Sequence, residues 1–478
     1  MRHEPQANAY APDPQILGLA SWLGDPVAPA DFPATTLRWR NDRWARSVGL
    51  SELDDAAWVK HFARFAPLAD NLPQPLALRY HGHQFGVYNP ELGDGRGFLY
   101  AQMRDGMGRL LDLGTKGSGQ TPWSRQGDGR LTLKGAVREI LATEMLEALG
   151  ANTSKTFSVV ETGEALWRGD EPSPTRSAVL VRLSHGHIRI GTFQRLLVLE
   201  DAAAMTQLVD YALTQFPGPL PPEGSPGADH PAIILLHQVV ERLADMAASY
   251  VAAGFVHGVL NTDNMNISGE SFDYGPWRWL PRWDADFTAA YFDHAGRYRF
   301  GKQAEAIKWN CGQLAVSLRL LVEDTAPLIA ALDRFDGLYQ AALAQRVLWR
   351  LGLEPLGDDR AEDRDAALLA AAGQHMREEQ MSPDSFFHLF RGMPPKALAL
   401  LRSGSPLSAA LGAYAPLADA RRHAAWEQSP PDNHIETVES LWTAIDRDDD
   451  WTPLHRHVEV IRALGDALGE APIPAGHL

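Results

Sequence analysis

Several residue groups in this chain have the types and spacing that bind phosphate and a divalent cation. His257-Gly258-Val259-Leu260-Asn261-Thr262-Asp263-Asn264 is followed by Asp273-Tyr274-Gly275. Asn264 and Asp273 supply the hard oxygen donors that Mg²⁺ takes, usually one or two from protein with phosphate and water completing the shell. Mn²⁺ accepts the same donors. Asp263 adds a carboxylate that could take a proton. Upstream, Gly93-Asp94-Gly95-Arg96-Gly97 would let backbone approach phosphate oxygens. Lys116, within Gly114-Thr115-Lys116-Gly117-Ser118-Gly119, could neutralise phosphate charge, and Glu139 could fix the direction of that lysine.

Each group alone has an ordinary explanation. Asn261-Thr262-Asp263-Asn264 could be a plain turn, the glycine cluster a hairpin, and a Lys–Glu pair surface decoration. Their order is what carries information: glycines, Lys, helix Glu, H-x-x-L-x-x-x-N, D-x-G. Protein kinases place H-R-D-L-x-x-x-N and D-F-G in that order after a long helix. His257, Leu260, Asn264 and Asp273 match that signature, but the kinase base Asp falls on Val259, which cannot accept a proton. Asp263 is the nearest replacement.

Other candidates are less sharp. Asp128-Gly129 could face a nucleotide or form an ordinary turn, and Arg182 and Arg189 could hold anionic phosphates or lie on a solvated strand face. The pairs His81/His83 and His185/His187 have H-x-H spacing, but no Cys or acidic cluster completes a zinc site, so both are read as structural. Trp283-Asp284-Ala285-Asp286 reads as a solvated loop, and Cys311 as a core residue.

The elements that must position these residues follow from periodicity. Phe98–Arg104 and Leu110–Thr115 predict strands around a turn at Asp105-Gly106, and Thr156–Glu161 and Ala178–Leu183 predict two more. Leu131–Leu149 predicts a helix with Gly150 after its end. A Pro/Gly-rich loop over Phe216–His230 precedes a helix over Pro231–Ala253, with Pro at its start and Gly254 at its end. Helices are also predicted at about 303–322, 325–351, 361–380 and 435–446. Residues 1 to 75 read as an irregular N-terminal extension with one amphipathic piece near Asp54–Phe65. Residues 76–200 then form a strand-rich lobe and 201–478 a helical lobe. The fold class is α+β, with a cleft between two lobes.

Composition sets the bounds. The chain has 478 residues, 45% hydrophobic and 22% charged, which is ordinary for a globular protein with room for two cores. With 44 basic and 60 acidic residues the net charge is −16, which argues against nucleic acid as a partner. One cysteine permits no internal disulfide, no secretory h-region opens the chain, and no run of about 18 apolar residues could span a membrane. The expectation is a cytoplasmic monomer.

The blocks YHGHQFGVYNPELGDGRG, DLGTKGSGQTPWSRQGDGR, LKGAVREIL and HGVLNTDNMNISGESFDYGP lie in order between residues 80 and 276. They resemble the hallmark blocks of the selenoprotein O family of protein adenylyltransferases, called YdiU in bacteria. Weaker similarity continues through GRYRFGKQ and KWNCGQLA. The resemblance implies a protein-kinase-like bilobal fold that binds ATP in a flipped orientation. It implies transfer of AMP to Ser, Thr or Tyr hydroxyls of proteins, with release of pyrophosphate; the chain's own plentiful hydroxyls could be acceptors too. By motif, Gly93, Gly95 and Arg96 would line the nucleotide loop. Lys116 would contact phosphate and pair with Glu139. Asp128 and Gly129 would touch the nucleotide, and Arg182 and Arg189 would hold phosphates. Asp263 would accept the proton, while Asn264 and Asp273 would bind Mg²⁺. Many bacterial members carry two cysteines that can form a regulatory disulfide. Here FTAAYFDHAGRYRF and the tail APIPAGHL hold none, so redox gating by that bond is excluded. Two competing readings are a phosphotransferase with an atypical base and a non-catalytic ATP-binding scaffold.

Overall fold

The computed structural model describes residues 7–169 and 171–472, so the first six residues and the end of the APIPAGHL tail lie outside the described residues. Its first half is built on an eight-stranded antiparallel sheet. The strands are β1 (Gly24–Pro26), β2 (Thr36–Arg40), β3 (Leu76–Leu78), β6 (Leu99–Arg104), β7 (Leu110–Lys116), β8 (Leu131–Thr132), β9 (Lys155–Leu166) and β10 (Thr175–Ser184). A separate hairpin is formed by β4 (Gly82–Gln84) and β5 (Val87–Asn89). The order across the main sheet is β1-β3-β6-β7-β10-β9-β2, with β8 paired to β10.

Period-2 patterning gives the sheet two apolar faces. On β10, Val179, Val181 and Leu183 join one cluster, while Ala178 and Leu180 join the other. The helix α1 (Leu133–Ala148) covers the second face with its buried Val137, Ile140 and Leu141. Its N-cap is Thr132, whose hydroxyl accepts from the Gly135 N–H. The predicted helix from Leu131 therefore begins two residues later, because Leu131 and Thr132 pair with Ala178 and Ser177.

The N-terminal stretch is not irregular. It supplies β1 and β2, the two edge strands of the path, and a helix Asp55–Phe62 that packs on the outer face. Trp58 stacks on Phe157 at 4.9 Å and donates its indole N–H to Ser158 Oγ at 2.9 Å. Thus the segment before residue 76 completes the sheet instead of standing apart.

The second half is helical: α2 (Ile190–Val198), α3 (Ala202–Gln215), α4 (Pro231–Ala253), α5 (Gln303–Leu318), α6 (Ala326–Asp333), α7 (Phe335–Leu351), α8 (Ala361–Glu378), α9 (Ile435–Asp448) and α10 (Thr452–Leu468), with shorter helices between α8 and α9. The fold is α+β and bilobal, as expected of a kinase-like chain. The helix α4 matches its predicted span, starting at Pro231 and ending at Gly254, which takes φ 66°. The single helix expected over 325–351 is divided at Arg334, whose guanidinium reaches His237 Nδ1 at 2.8 Å. The helices α9 and α10 return to the first lobe. Arg462 on α10 pairs with Glu144 on α1 at 2.6 Å, and Lys134 on α1 pairs with Glu439 on α9 at 2.8 Å. A two-stranded ribbon, β11 (Phe255–Val256) with β12 (Arg278–Trp279), brackets the segment that carries the site.

Candidate active site

A cleft of about 620 Å³ separates the lobes. Its walls carry Gly93, Gly95, Arg96, Lys116, Asp128, Gly129, Arg182, Arg189, Asp263 and Asp273, so ten of the twelve expected residues meet there. Glu139 stands behind Lys116. Asn264 is half-buried beside the cleft and is not on its wall.

Lys116 ends β7 and is 4% exposed. Its Nζ lies 2.5 Å from Glu139 Oε1 and 2.9 Å from Asp273 Oδ1. The pair is therefore buried and directional, not surface decoration. Arg182 on β10 and Arg189 at the N-cap of α2 each approach Asp273 to 3.7 Å. Burial alone would raise the Asp273 carboxyl. Lys116, Arg182, Arg189 and Arg96 outweigh it and hold Asp273 well below the usual carboxylate range.

The glycine loop closes one end. A Cβ on Gly93 would meet Trp123 Cγ at 2.4 Å, so only glycine fits against that ring. Trp123 is held in turn by Asp25 on β1, which accepts its indole N–H at 2.9 Å. Asp128 pairs with Arg168 at 2.8 Å and accepts from the Arg130 N–H.

Asp263 lies in a one-turn 3₁₀ segment, Thr262–Asn264. Two first-lobe contacts fix that turn: the His83 N–H donates to Thr262 Oγ1 at 2.7 Å, and the Phe85 N–H to Asn261 Oδ1 at 3.0 Å. Thr262 donates to Gln194 on α2 at 2.7 Å. Arg189 reaches the Asp263 carbonyl at 2.8 Å. Burial pushes the Asp263 carboxyl up to about 6, against the opposing pull of Arg189. A carboxylate in that range is well matched to accepting a proton near neutral pH. Val259 does not serve as a base. Its carbonyl accepts from Asn264 Nδ2 at 3.0 Å. His257 is buried and donates its Nε2–H to the Phe272 carbonyl, 3.0 Å away, tying the two halves of the motif together.

Asp263 Oδ1, Arg182 Nε and Nη1, and Arg189 Nε are buried with no hydrogen-bond partner. Buried polar atoms are normally satisfied, so these point to a polar ligand. Seven cationic side chains line the cleft (Arg96, Lys116, Arg125, Arg130, Arg168, Arg182 and Arg189) against four carboxylates, in a chain of net charge −16. That segregation favours a polyanion.

Sequence reasoning missed Asp94, Tyr80, Trp123 and Arg168. Asp94 accepts from Arg189 Nη2 at 3.1 Å and from the Leu78 N–H, and Tyr80 lies under Arg189 with its ring centre 4.4 Å from the guanidinium carbon. Asp94 sat inside the glycine cluster and could have been singled out there. Tyr80 and Trp123 fall within the quoted blocks with no chemical pattern of their own to single them out, and Arg168 lies outside those blocks. The histidines of both pairs make protein contacts: His187 lies 3.1 Å from Asp112, His185 and His81 pack against Phe216 and Tyr88, and His83 meets Gln194 at 2.7 Å. Among the described residues no cluster of three His, Cys, Asp or Glu forms a metal site. Cys311 is fully buried on α5.

The family described as "Protein adenylyltransferase SelO" matches residues 8–397. A "Protein nucleotidyltransferase YdiU" of Synechocystis sp. is 42% identical over 472 residues, covering 94% of this chain and 98% of the relative. One from Synechococcus elongatus is 50% identical over 347 residues, covering 72% and 68%, and one from Gloeobacter violaceus is 42% identical over 463 residues, covering 93% of both.

Proposed function

The chain belongs to the SelO family of protein adenylyltransferases, and we propose that it transfers AMP from ATP to Ser, Thr and Tyr hydroxyls of proteins, releasing pyrophosphate. The observation that carries this reading is the set of unpartnered buried atoms around the cleft, Asp263 Oδ1 facing a site walled by Lys116, Arg182 and Arg189.

In the proposed reaction Lys116, Arg96, Arg182 and Arg189 hold the phosphates, and Glu139 keeps Lys116 pointed into the cleft. Gly93, Gly95, Asp128 and Gly129 bound the nucleotide. The acceptor hydroxyl attacks the α-phosphorus. A new P–O bond forms, the bond from that phosphorus to the bridging oxygen breaks, and pyrophosphate leaves. Asp263 takes the hydroxyl proton. Positioning and charge neutralisation supply most of the acceleration in such transfers.

The Asp273 carboxylate and Asn264 Oδ1 are hard oxygen donors and fit Mg²⁺, with Mn²⁺ accepted by the same set. A bound divalent cation would stabilise charge on the phosphate oxygens. The protein partner is approached from the open side of the cleft, and the chain's own hydroxyls are among the acceptors. The lone buried Cys311 suits a reducing cytoplasm, and no helix among the described residues is long and apolar enough to cross a membrane. A monomer suffices, because every proposed site residue comes from one chain.

The test uses ATP labelled at the α- or γ-phosphate, with Mg²⁺ and candidate proteins. Covalent label from the α-phosphate alone is expected. Label from the γ-phosphate alone would show a phosphotransferase. No label with intact ATP binding would show a scaffold.

A further inference from the structure

The helical lobe holds a second cavity, of about 250 Å³. It lies at the seam of two apolar clusters, and Val251 and Trp283 pack against both. Its walls come from α4 (Val251), α7 (Leu343), α8 (Met376) and the segment beyond Asp273-Tyr274-Gly275 (Trp283 and Phe300). No charged side chain lines it among the described residues.

One residue keeps the space open. Gly373 stands inside α8, where alanine would make the better helix. The nearest neighbour of a Cβ there would be Trp283, at 3.5 Å, an ordinary contact. Neither backbone conformation nor crowding requires glycine, yet any larger side chain would project into the cavity in front of the Trp283 ring.

We propose that this cavity is a binding site for a small uncharged aromatic molecule of one or two rings. The volume decides the size. An apolar cavity of about 150 Å³ takes benzene, and pockets for drug-sized ligands begin near about 300 Å³. The lining decides the chemistry. Trp283 and Phe300 sit edge to face at 5.1 Å, and Met376 adds a thioether. Such walls offer edge-to-face and sulfur–aromatic contacts.

The cavity also connects to the catalytic turn. Two residues before Phe300, the Tyr298 hydroxyl donates to Asn261 Oδ1 at 2.8 Å, and Asn261 is the N-cap of the turn that carries Asp263. A ligand pressing on Phe300 therefore acts on the position of Asp263, and occupancy changes the rate at that site.

The test is calorimetric titration of the full chain with indole, without ATP, so its outcome does not depend on the adenylyltransferase reading. One indole per chain is expected, weakened at least tenfold by Gly373→Leu. Ala372→Met fills the same cavity from a neighbouring position and should weaken indole equally, with thermal melts confirming that each variant is folded. No binding by the native chain, equal binding by the folded variants, or binding of decanoate in place of indole would overturn the site. Saturating indole should also change the AMP-transfer rate of the native chain at least twofold and leave Gly373→Leu unaffected. An unchanged native rate, against a measurable transfer activity, would overturn the connection to Asp263.

Discussion

Lys116 Nζ lies 2.9 Å from Asp273 Oδ1, so the residue assigned to phosphate and the residue assigned to the metal hold each other. The same ammonium lies 2.5 Å from Glu139, which is 1% exposed. Lys116→Ala would leave Glu139 buried and uncompensated, and breaking such a pair costs about 3–5 kcal/mol. Lys116→Ala should therefore lower Tm as well as abolish transfer. Asp273→Ala should abolish transfer while leaving the Lys116–Glu139 pair intact, so its loss of Tm should be the smaller one. Calorimetric melts beside label transfer check both; undiminished transfer by Asp273→Ala would refute its assignment.

Asp263→Asn keeps the shape of the side chain and removes its capacity to take a proton. General-base removal costs roughly 10²–10⁴ in rate. Transfer should fall by that factor while ATP affinity stays within about threefold, because the phosphate-holding cations are untouched. Equal rates in both proteins would place the base elsewhere.

Gly82 on β4 controls the position of Asp263 from the other lobe. A Cβ there would meet Asp263 Oδ1 at 3.1 Å and Leu92 Cδ1 at 3.1 Å, tighter than ordinary contact. Gly82→Ala should therefore displace the carboxylate by a few tenths of an ångström and reduce the transfer rate by up to about tenfold, a fraction of what a misplacement of about 1 Å can cost. The melt should move little. A native rate in Gly82→Ala would show that Leu92 gives way instead.

Glu270 predicts how stability depends on pH. It is 5% exposed, and its carboxylate accepts from the His185 N–H at 2.8 Å. Burial pushes its carboxyl up to about 7, with Lys155 opposing. An unfolded Glu titrates near about 4.3. Between those values the folded state binds more protons than the unfolded state, so stability falls as pH rises. The contribution is fully present below about pH 4.3 and is lost as pH rises through about 7, a difference on the order of 3 kcal/mol. Glu270→Gln cannot titrate. Its Tm relative to the native chain should rise from pH 5 to pH 8, and a constant offset would refute the shift.

What could be read in advance divides along physical lines. The helix α4 was legible to the residue because Pro231 and Gly254 punctuate it. The meeting of Lys116 with Glu139 and Asp273 was legible because their order repeats a known signature, whereas Asp263 was singled out only as the carboxylate beside Asn264. The edge strands were not. Gly24–Pro26 has three residues and Thr36–Arg40 five, too few to show alternation above background, and tertiary pairing with β3 and β9 decides them. The roles of Asp25 and Trp123 depend on contacts between distant segments. The helix α10 could have been found: Leu454, Val458, Ile461, Leu464 and Leu468 recur at helical spacing after a Pro at its start.

That last helix makes a specific claim on the site. Arg462 meets both carboxylate oxygens of Glu144, at 2.6 and 2.8 Å, and Glu144 is 4% exposed on the helix that carries Glu139. Arg43 is the other cation near it, at 3.9 Å. Arg462→Ala would leave Glu144 poorly paired and should cost about 2–4 kcal/mol. Bidentate charged pairs are among the stronger hydrogen-bonded contacts. Arg462→Ala and Glu144→Ala combined should therefore cost less than their sum by about 1–3 kcal/mol. If α10 positions Glu139 through this pair, Arg462→Ala should also raise the KM for ATP, since Lys116 depends on Glu139 for its direction. Additive losses, with an unchanged KM, would reduce α10 to a cover over the back of the sheet.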